Sequence, residues 1–208
     1  MKMITAINSS DIVFSAVKKN RNGGKFVTLS DGSGPVFLQL PSLRAPFGLN
    51  MPNDKAKEYY LSLSMTPEVE EKFLEIDTMV LNFVHEHCVD LLGKTIDLNV
   101  LKDILMTPIV KKPKDEKYQS TIKLKASTGD GKNMSECYNH LREEVSLDVI
   151  KPGTYLETIV ELSQVYFING KFGVSVKLLQ AKLSPSNKLS GYSFIETSTD
   201  EIDIPDDV

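Results

Sequence analysis

The pair Asn169-Gly170, set between two runs of Val, Ile, Leu, Tyr and Phe in residues 154–183 (TYLETIVELSQVYFINGKFGVSVKLLQAKL), constrains this chain more than any other feature. β-Branched and aromatic residues favour strands, and Asn-Gly accepts the two positive φ values of a type I′ turn. The stretch therefore predicts a hairpin with Ile168 opposite Lys171. That register sets Val165, Phe167, Phe172 and Val174 on an apolar face, and Gln164, Tyr166, Gly173, Ser175 and Lys177 on a wet one. Tyr166 then stands opposite a glycine, uncovered across the ladder, with a lysine nearby. A nucleobase stacked on such a ring, its phosphate beside the ammonium, is how proteins hold single strands. An ordinary solvated tyrosine would show the same pattern. Carried further, the register turns Glu161 into the core opposite Leu178, so a β-bulge is expected near Leu178-Leu179.

No run of eighteen apolar residues occurs, so no membrane span is expected, and the start MKMITAINSSD lacks the apolar core of a signal peptide. The two cysteines, Cys88 and Cys137, are too few for a disulfide framework and point to a reducing compartment. The net charge of −4 hides its distribution. Residues 196–208 carry Glu196, Asp200, Glu201, Asp203, Asp206 and Asp207 and no base, which leaves the rest of the chain at +2. From composition, that end reads as a solvated tail or as a mimic of DNA that occupies a basic groove or recruits partners.

Along the chain, residues 11–17 and 25–29 read as strands across the polar turn KKNRNGG, whose Lys18, Lys19, Arg21 and Lys25 form a cationic loop suited to a phosphate backbone or simply to solvent. Residues 35–40 give another strand, after which PSLRAPFGLN is expected to break regular structure and to present Arg44 and Phe47. In KEYYLSLSM, Tyr59, Leu61, Leu63 and Met65 alternate with Tyr60, Ser62 and Ser64, making Tyr60 a second candidate stacking ring. Thr66-Pro67 opens a helix with Glu68, Glu70 and Glu71 at its positive end. Val69, Phe73, Ile76, Val80, Phe83 and His87 mark its apolar stripe, and Gly93 its end. Its acidic side would repel DNA, so the helix is expected to pack away from any ligand. A shorter helix over residues 98–106 should stop at Pro108. The basic linker Lys111, Lys112, Lys114 and Lys117 precedes a strand with Ile122 and Leu124 inward and Thr121, Lys123 and Lys125 outward, a positive sheet face or an edge protected against aggregation. Residues 135–144 suit a short helix.

No Walker or Rossmann glycine loop and no serine nucleophile elbow is present, and no catalytic pair stands out, so an enzyme is not expected. His85-x-x-Cys88 and Cys137-x-x-His140 suggest tetrahedral zinc by residue type, but the spacing fits no compact zinc module. Incidental histidines and core cysteines are the expectation, with no metal and no cofactor.

GGKFVTL, the loop LRAPFGLN, the strand YYLSLSM ahead of a long helix, and YFINGKFGVSVKLLQAKL before an acidic terminus together resemble the single-stranded DNA-binding proteins of nucleocytoplasmic large DNA viruses. More distantly, the layout is similar to phage single-stranded DNA-binding proteins with an OB-fold and an acidic C-terminal tail. The resemblance runs from about Gly23 to Val208. It implies a mainly β (α+β) chain: a five-stranded OB-fold barrel with extra strands and one long helix, spanning residues 1–195 with a helical insertion at about 66–106, then a disordered acidic tail. It also implies sequence-independent binding of single-stranded DNA in viral replication, recombination or repair, at the replication site of an infected host cell, in cytoplasm or nucleus. Viral replication proteins would be met through Asp200, Glu201, Asp203, Asp206 and Asp207. The DNA-binding set expected from charge and exposure is Lys18, Lys19, Arg21, Lys25, Arg44, Phe47, Tyr60, Lys123, Lys125, Tyr166, Lys171 and Lys177. The alternative is a viral structural or scaffold protein that binds other proteins through the same sheet face. The sequence leaves the oligomeric state open, a homodimer included.

Overall fold

A computed structural model describes residues 1–50, 58–127 and 134–185, and its backbone is organised by the predicted hairpin. Asn169 and Gly170 take φ values of 52° and 75°, as the turn requires, and Ile168 pairs with Lys171. Five long strands form the frame: β1 (Val36–Ala45), β2 (Glu58–Ser64), β3 (Thr121–Ser127), β4 (Thr154–Ile168) and β5 (Lys171–Leu183). β1 pairs with β2, β2 with β3, β3 in parallel with β5, β5 with β4, and β4 back with β1. The sheet therefore closes on itself in the Greek-key arrangement of a five-stranded OB-fold barrel. Leu38, Leu40, Leu61, Leu63, Ile122, Leu124, Val160, Leu162 and Phe172 fill it, as period-two alternation requires.

Closure depends on three irregularities. Leu179 is the extra residue in β5 between the pairs Ile159–Gln180 and Val160–Leu178, where the bulge was expected. A second bulge at Ser163, between Leu162–Val176 and Gln164–Ser175, was not anticipated. It moves Glu161 opposite Lys177 instead of Leu178, so the carboxylate meets that ammonium at 3.5 Å and stays out of the core. The third corrects the expected break after Leu40. β1 runs on to Ala45 because Pro41 and Ser42 together oppose the single residue Glu157, a bulge at which a missing N–H costs no ladder bond.

Between β2 and β3 the chain leaves the barrel. The helix α1 (Pro67–Glu86) starts at Thr66, whose hydroxyl accepts from the Val69 N–H, and buries Val69, Phe73, Ile76 and Val80. The helix expected to reach Gly93 unbroken is interrupted at His87 (φ −104°), whose ring stacks on Phe83 and donates through Nδ1 to the Phe83 carbonyl at 3.0 Å. The chain re-enters a helix, α2 (Cys88–Leu92), and Gly93 caps it at φ 82°. Leu98–Val100 and a π-helical turn at Leu101–Leu105 follow, then the short strands Met106–Thr107 beside β5 and Val110–Lys111 beside β3.

Two further expectations differ. Residues 11–17 form a 3-10 turn (Ser9–Asp11) and a two-residue strand (Val13–Phe14), with Phe14 stacked on Phe83 at 3.9 Å. Residues 135–144 are a strand, Glu136–Tyr138, and a turn, because pairing with β5 satisfies that backbone instead. The loop after β1 is fixed by Gly48 at φ 65°, where a Cβ would lie 2.7 Å from the Ile150 carbonyl oxygen and 2.9 Å from the Pro152 nitrogen. Gly48→Ala should destabilise the fold by at least ~1 kcal/mol, read as a lower urea midpoint at unchanged slope. An unchanged midpoint would show that this crossing can relax.

Candidate nucleic-acid interface

The alternation that buries Leu61, Leu63, Ile122 and Leu124 turns Tyr60, Ser62 and Ser64 of β2 and Thr121, Lys123 and Lys125 of β3 outward, as expected. Register sets Tyr60 beside Lys125, Ser62 beside Lys123 and Ser64 beside Thr121. Arg44 lies beside Ser64, and Lys111 beside Thr121. A row of outward residues thus crosses from β1 through β2 and β3 to the strand Val110–Lys111, and a second row runs along β3 for roughly 13 Å at ~3.3 Å per residue.

Two adjoining hollows follow these rows. One, of about 240 Å³, holds Tyr60, Lys111, Lys123, Lys125 and Tyr166. The other, of about 720 Å³, holds Arg44, Phe47, Lys111, Lys112, Lys117 and Tyr118. Lys111 belongs to both, so they form one groove. Among the described residues, no Asp or Glu lines either part. The Lys123 ammonium sits 3.7 Å from the centre of the Tyr60 ring. Partial burial holds its pKa below the usual lysine range, and the nearby Lys111 and Lys125 charges push the same way.

Tyr166 reaches this groove in a manner the strand pattern did not show. The ring leans over Gly173, where a Cβ would lie 2.8 Å from Tyr166 Oη and 2.6 Å from the Thr107 carbonyl oxygen. Gly173 therefore does not leave the ring uncovered; it gives the ring a surface to lie on, and Tyr166 is half-buried. On its other side Tyr166 pairs with Phe26, itself opposite Lys18, so Lys18 falls in line with the Tyr166 end of the groove.

The remaining expected contacts divide. Lys171 is exposed at the hairpin tip, on the Tyr166 side but outside the groove lining. Lys177 pairs with Lys125 in register, yet is engaged by Glu161. Lys19 and Arg21 are exposed on the hairpin beyond Lys18 and do not line the groove. Lys25 is engaged away from the groove. Its ammonium donates to the carbonyl oxygens of Asp90 (2.7 Å) and Leu91 (3.1 Å), so it caps the negative end of α2. The acidic side of α1 faces elsewhere, with Glu71, Glu75 and Glu86 lining a separate hollow beside Phe14. The acidic segment, with Asp200, Glu201, Asp203, Asp206 and Asp207, lies outside the described residues.

Four contributors had weak or no sequence signal. Lys111 and Lys112 read only as linker charge, because a two-residue strand is too short to show periodicity. Tyr118, 62% exposed, stands just before β3 where no pattern marks it as a stacking ring. Asp77 looked like one more acid on a solvated helix face. Its carboxylate is instead buried and accepts the N–H groups of Ile109 (3.0 Å) and Val110 (3.2 Å), which fixes the strand carrying Lys111 to α1. Burial raises its pKa to about 6, although the two hydrogen bonds oppose the shift. Cys88 and Cys137 are both buried free thiols, and burial pushes the Cys137 thiol to about 11. Among the described residues, no three His, Cys, Asp or Glu side chains converge as a metal site would need.

A model of the family of unknown function DUF5871 matches residues 53–196. No curated protein matches the sequence. The single-stranded DNA-binding protein of bacteriophage Enc34 is a similar solved structure, at 15% identity and TM-score 0.47, covering 90% of this chain and 98% of that one. The same phage protein in complex with single-stranded DNA aligns at 13% identity and TM-score 0.45, over 84% and 97% of the two chains. The single-stranded DNA-binding protein encoded by bacteriophage T7 aligns at 16% identity and TM-score 0.48, over 76% and 91%.

Proposed function

This chain belongs to DUF5871, a family of unknown function, and we propose that it is a non-catalytic protein that holds single-stranded DNA, without sequence preference, in the groove between Phe47 and Tyr166. The observation that carries this reading is the groove's composition. Arg44, Lys111, Lys112, Lys117, Lys123 and Lys125 are interleaved with Phe47, Tyr60, Tyr118 and Tyr166, with no acid among the described lining residues. Lys111, Lys123 and Lys125 repel one another, and a bound phosphate chain would relieve that repulsion. The rings offer flat faces to bases, worth about 1–3 kcal/mol per stacked base. A duplex presents its bases edge-on inside the stack and cannot use those faces, so preference for single strands follows from the rings and not from the charge.

The resemblance of the GGKFVTL, APFG and INGKFG motifs to viral single-stranded DNA-binding proteins supports the finer proposal, a role in viral DNA replication, recombination or repair. The six acids of residues 196–208, with no base among them, support a tail that competes for the groove or meets replication proteins. Fluorescence titration with oligo-dT, duplex DNA and RNA at two salt concentrations tests the core reading. Oligo-dT should bind most tightly, with a log–log salt slope of roughly −3.5 to −4.2 if five or six phosphates are neutralised at ~0.7 each. Deleting residues 196–208 should tighten binding. Absent or salt-insensitive binding of oligo-dT would overturn the proposal and leave the sheet face to a protein partner.

A further inference from the structure

A separate cleft of about 300 Å³ opens where β1, β4 and β5 meet the turn that follows Glu136–Tyr138, and it shares no lining residue with the groove. Ile159 lies at its base, paired with Gln39 on one side and Gln180 on the other. The Glu136 carboxylate accepts from Tyr138 Oη at 2.8 Å and from Gln180 Nε2 at 2.7 Å, which fixes the ring and the amide. Glu157 is engaged by Lys182 at 3.3 Å. Glu136 and Glu157 are therefore committed, and the exposed Glu144, bridged to Tyr138 through the backbone, adds a further negative charge near that ring. Arg142 is held at φ 67° by its N–H bond to the Asn139 carbonyl, while Asn139 Oδ1 accepts from the Leu141 and Glu143 N–H groups. Its guanidinium makes no ion pair among the described residues, and the half-buried Gln39 amide makes no hydrogen bond there.

A fixed aromatic ring, two amides and one uncommitted cation around a hollow at the small end of ligand-pocket sizes suit a planar hydrogen-bonding ring that carries an anion. We propose that this cleft binds one mononucleotide unit, with its base against Tyr138 and the amides of Gln39 and Gln180, and its phosphate at Arg142. The unit has two sources, a free nucleotide or a base of the strand in the groove. The second source rests on the function proposed above. β5 leads from Val176 at the groove to Gln180 at the cleft, roughly 13 Å at ~3.3 Å per residue, a span a few nucleotides can cross. Because side-chain amides read base edges, the cleft would give a base preference that the groove lacks.

The test uses the full chain and the double variant Gln39→Leu/Arg142→Asn, in which Asn tolerates the left-handed backbone and thermal melting checks folding. Binding is measured to dTMP and dAMP by NMR shifts near Tyr138 and Gln180. It is also measured to short oligonucleotides that fill only the groove, and to longer oligo-dT and oligo-dA. We expect saturable shifts with a mononucleotide, an unequal affinity for long oligo-dT and oligo-dA, and, in the variant, about a tenfold loss on the preferred long strand with no change on short ones. Mononucleotide shifts without any effect on long strands would support the cleft with free nucleotide as its source. No shifts and no long-strand effect would overturn it. A variant with a charge-reversed groove separates the two readings: it should lose short-strand binding yet keep the mononucleotide shifts.

Discussion

Lys111→Glu combined with Lys123→Glu should lower affinity for oligo-dT by about a hundredfold or more at moderate salt, close to 3 kcal/mol at ~1.4 kcal/mol per decade. The change removes two cations from the part of the groove where Lys111, Lys123 and Lys125 act on one another, and sets two carboxylates there. The log–log salt slope should become shallower by roughly 1.4, from ~0.7 per lost phosphate contact. Stability provides the control. Lys111 and Lys125 repel Lys123 in the folded protein, so the reversal relieves repulsion while losing the Lys123 contact with the Tyr60 ring, worth about 0.5–1 kcal/mol, and the melting temperature should change little. Lys123→Arg, which keeps the cation over Tyr60, should retain most of the binding. Undiminished affinity in the double Glu variant would move the binding surface elsewhere on the barrel.

Asp77 carries the second large effect, and it joins stability to the groove. Asp77→Ala leaves the buried N–H groups of Ile109 and Val110 without acceptors, at about 1–3 kcal/mol each, so a total loss of about 2–6 kcal/mol is expected in urea denaturation. The same change frees the strand that holds Lys111, so oligo-dT binding should weaken under conditions where the protein is still folded. The pH dependence has a definite sign. The carboxyl titrates near 6 when folded and near its ordinary 3.8 when unfolded, so the folded state binds the extra proton between those values. Stability from this group is complete below about pH 4 and is lost as pH rises through 6, by an amount on the order of 3 kcal/mol. Asp77→Asn lacks this titration and keeps one acceptor. Wild type should therefore lose stability relative to Asp77→Asn from pH 4 to pH 7, with carboxylates common to both cancelling. A difference independent of pH would show that Asp77 is ionised and well solvated.

The strand faces and the helix start were legible because they depend on neighbours in sequence. Leu61, Leu63, Ile122 and Leu124 alternate with Tyr60, Ser62, Lys123 and Lys125, and any sheet that buries the first set exposes the second. Asn169-Gly170 dictated its own turn, and Thr66-Pro67 its own helix start. That a bulge must interrupt the hairpin was also foreseeable, since an uninterrupted register would have buried Glu161; the bulge that turns Glu161 outward is at Ser163, and the one at Leu179 lies beyond it.

Residues whose partners lie far away in the chain could not be read in this way. Lys25 looked like every other loop lysine until α2 presented two carbonyl oxygens to it. Pro41 looked like a strand breaker until β4 supplied a single residue opposite two. Asp77 looked solvated until residues 109 and 110 brought their N–H groups to it, and that contact, with the pairing of Val110–Lys111 to β3, carries Lys111 into line with Lys123. Local sequence sets which way each side chain points from its own strand or helix, because backbone geometry repeats over a few residues. Which side chains then meet depends on barrel closure and bulge position, and those are fixed by packing summed over the whole core.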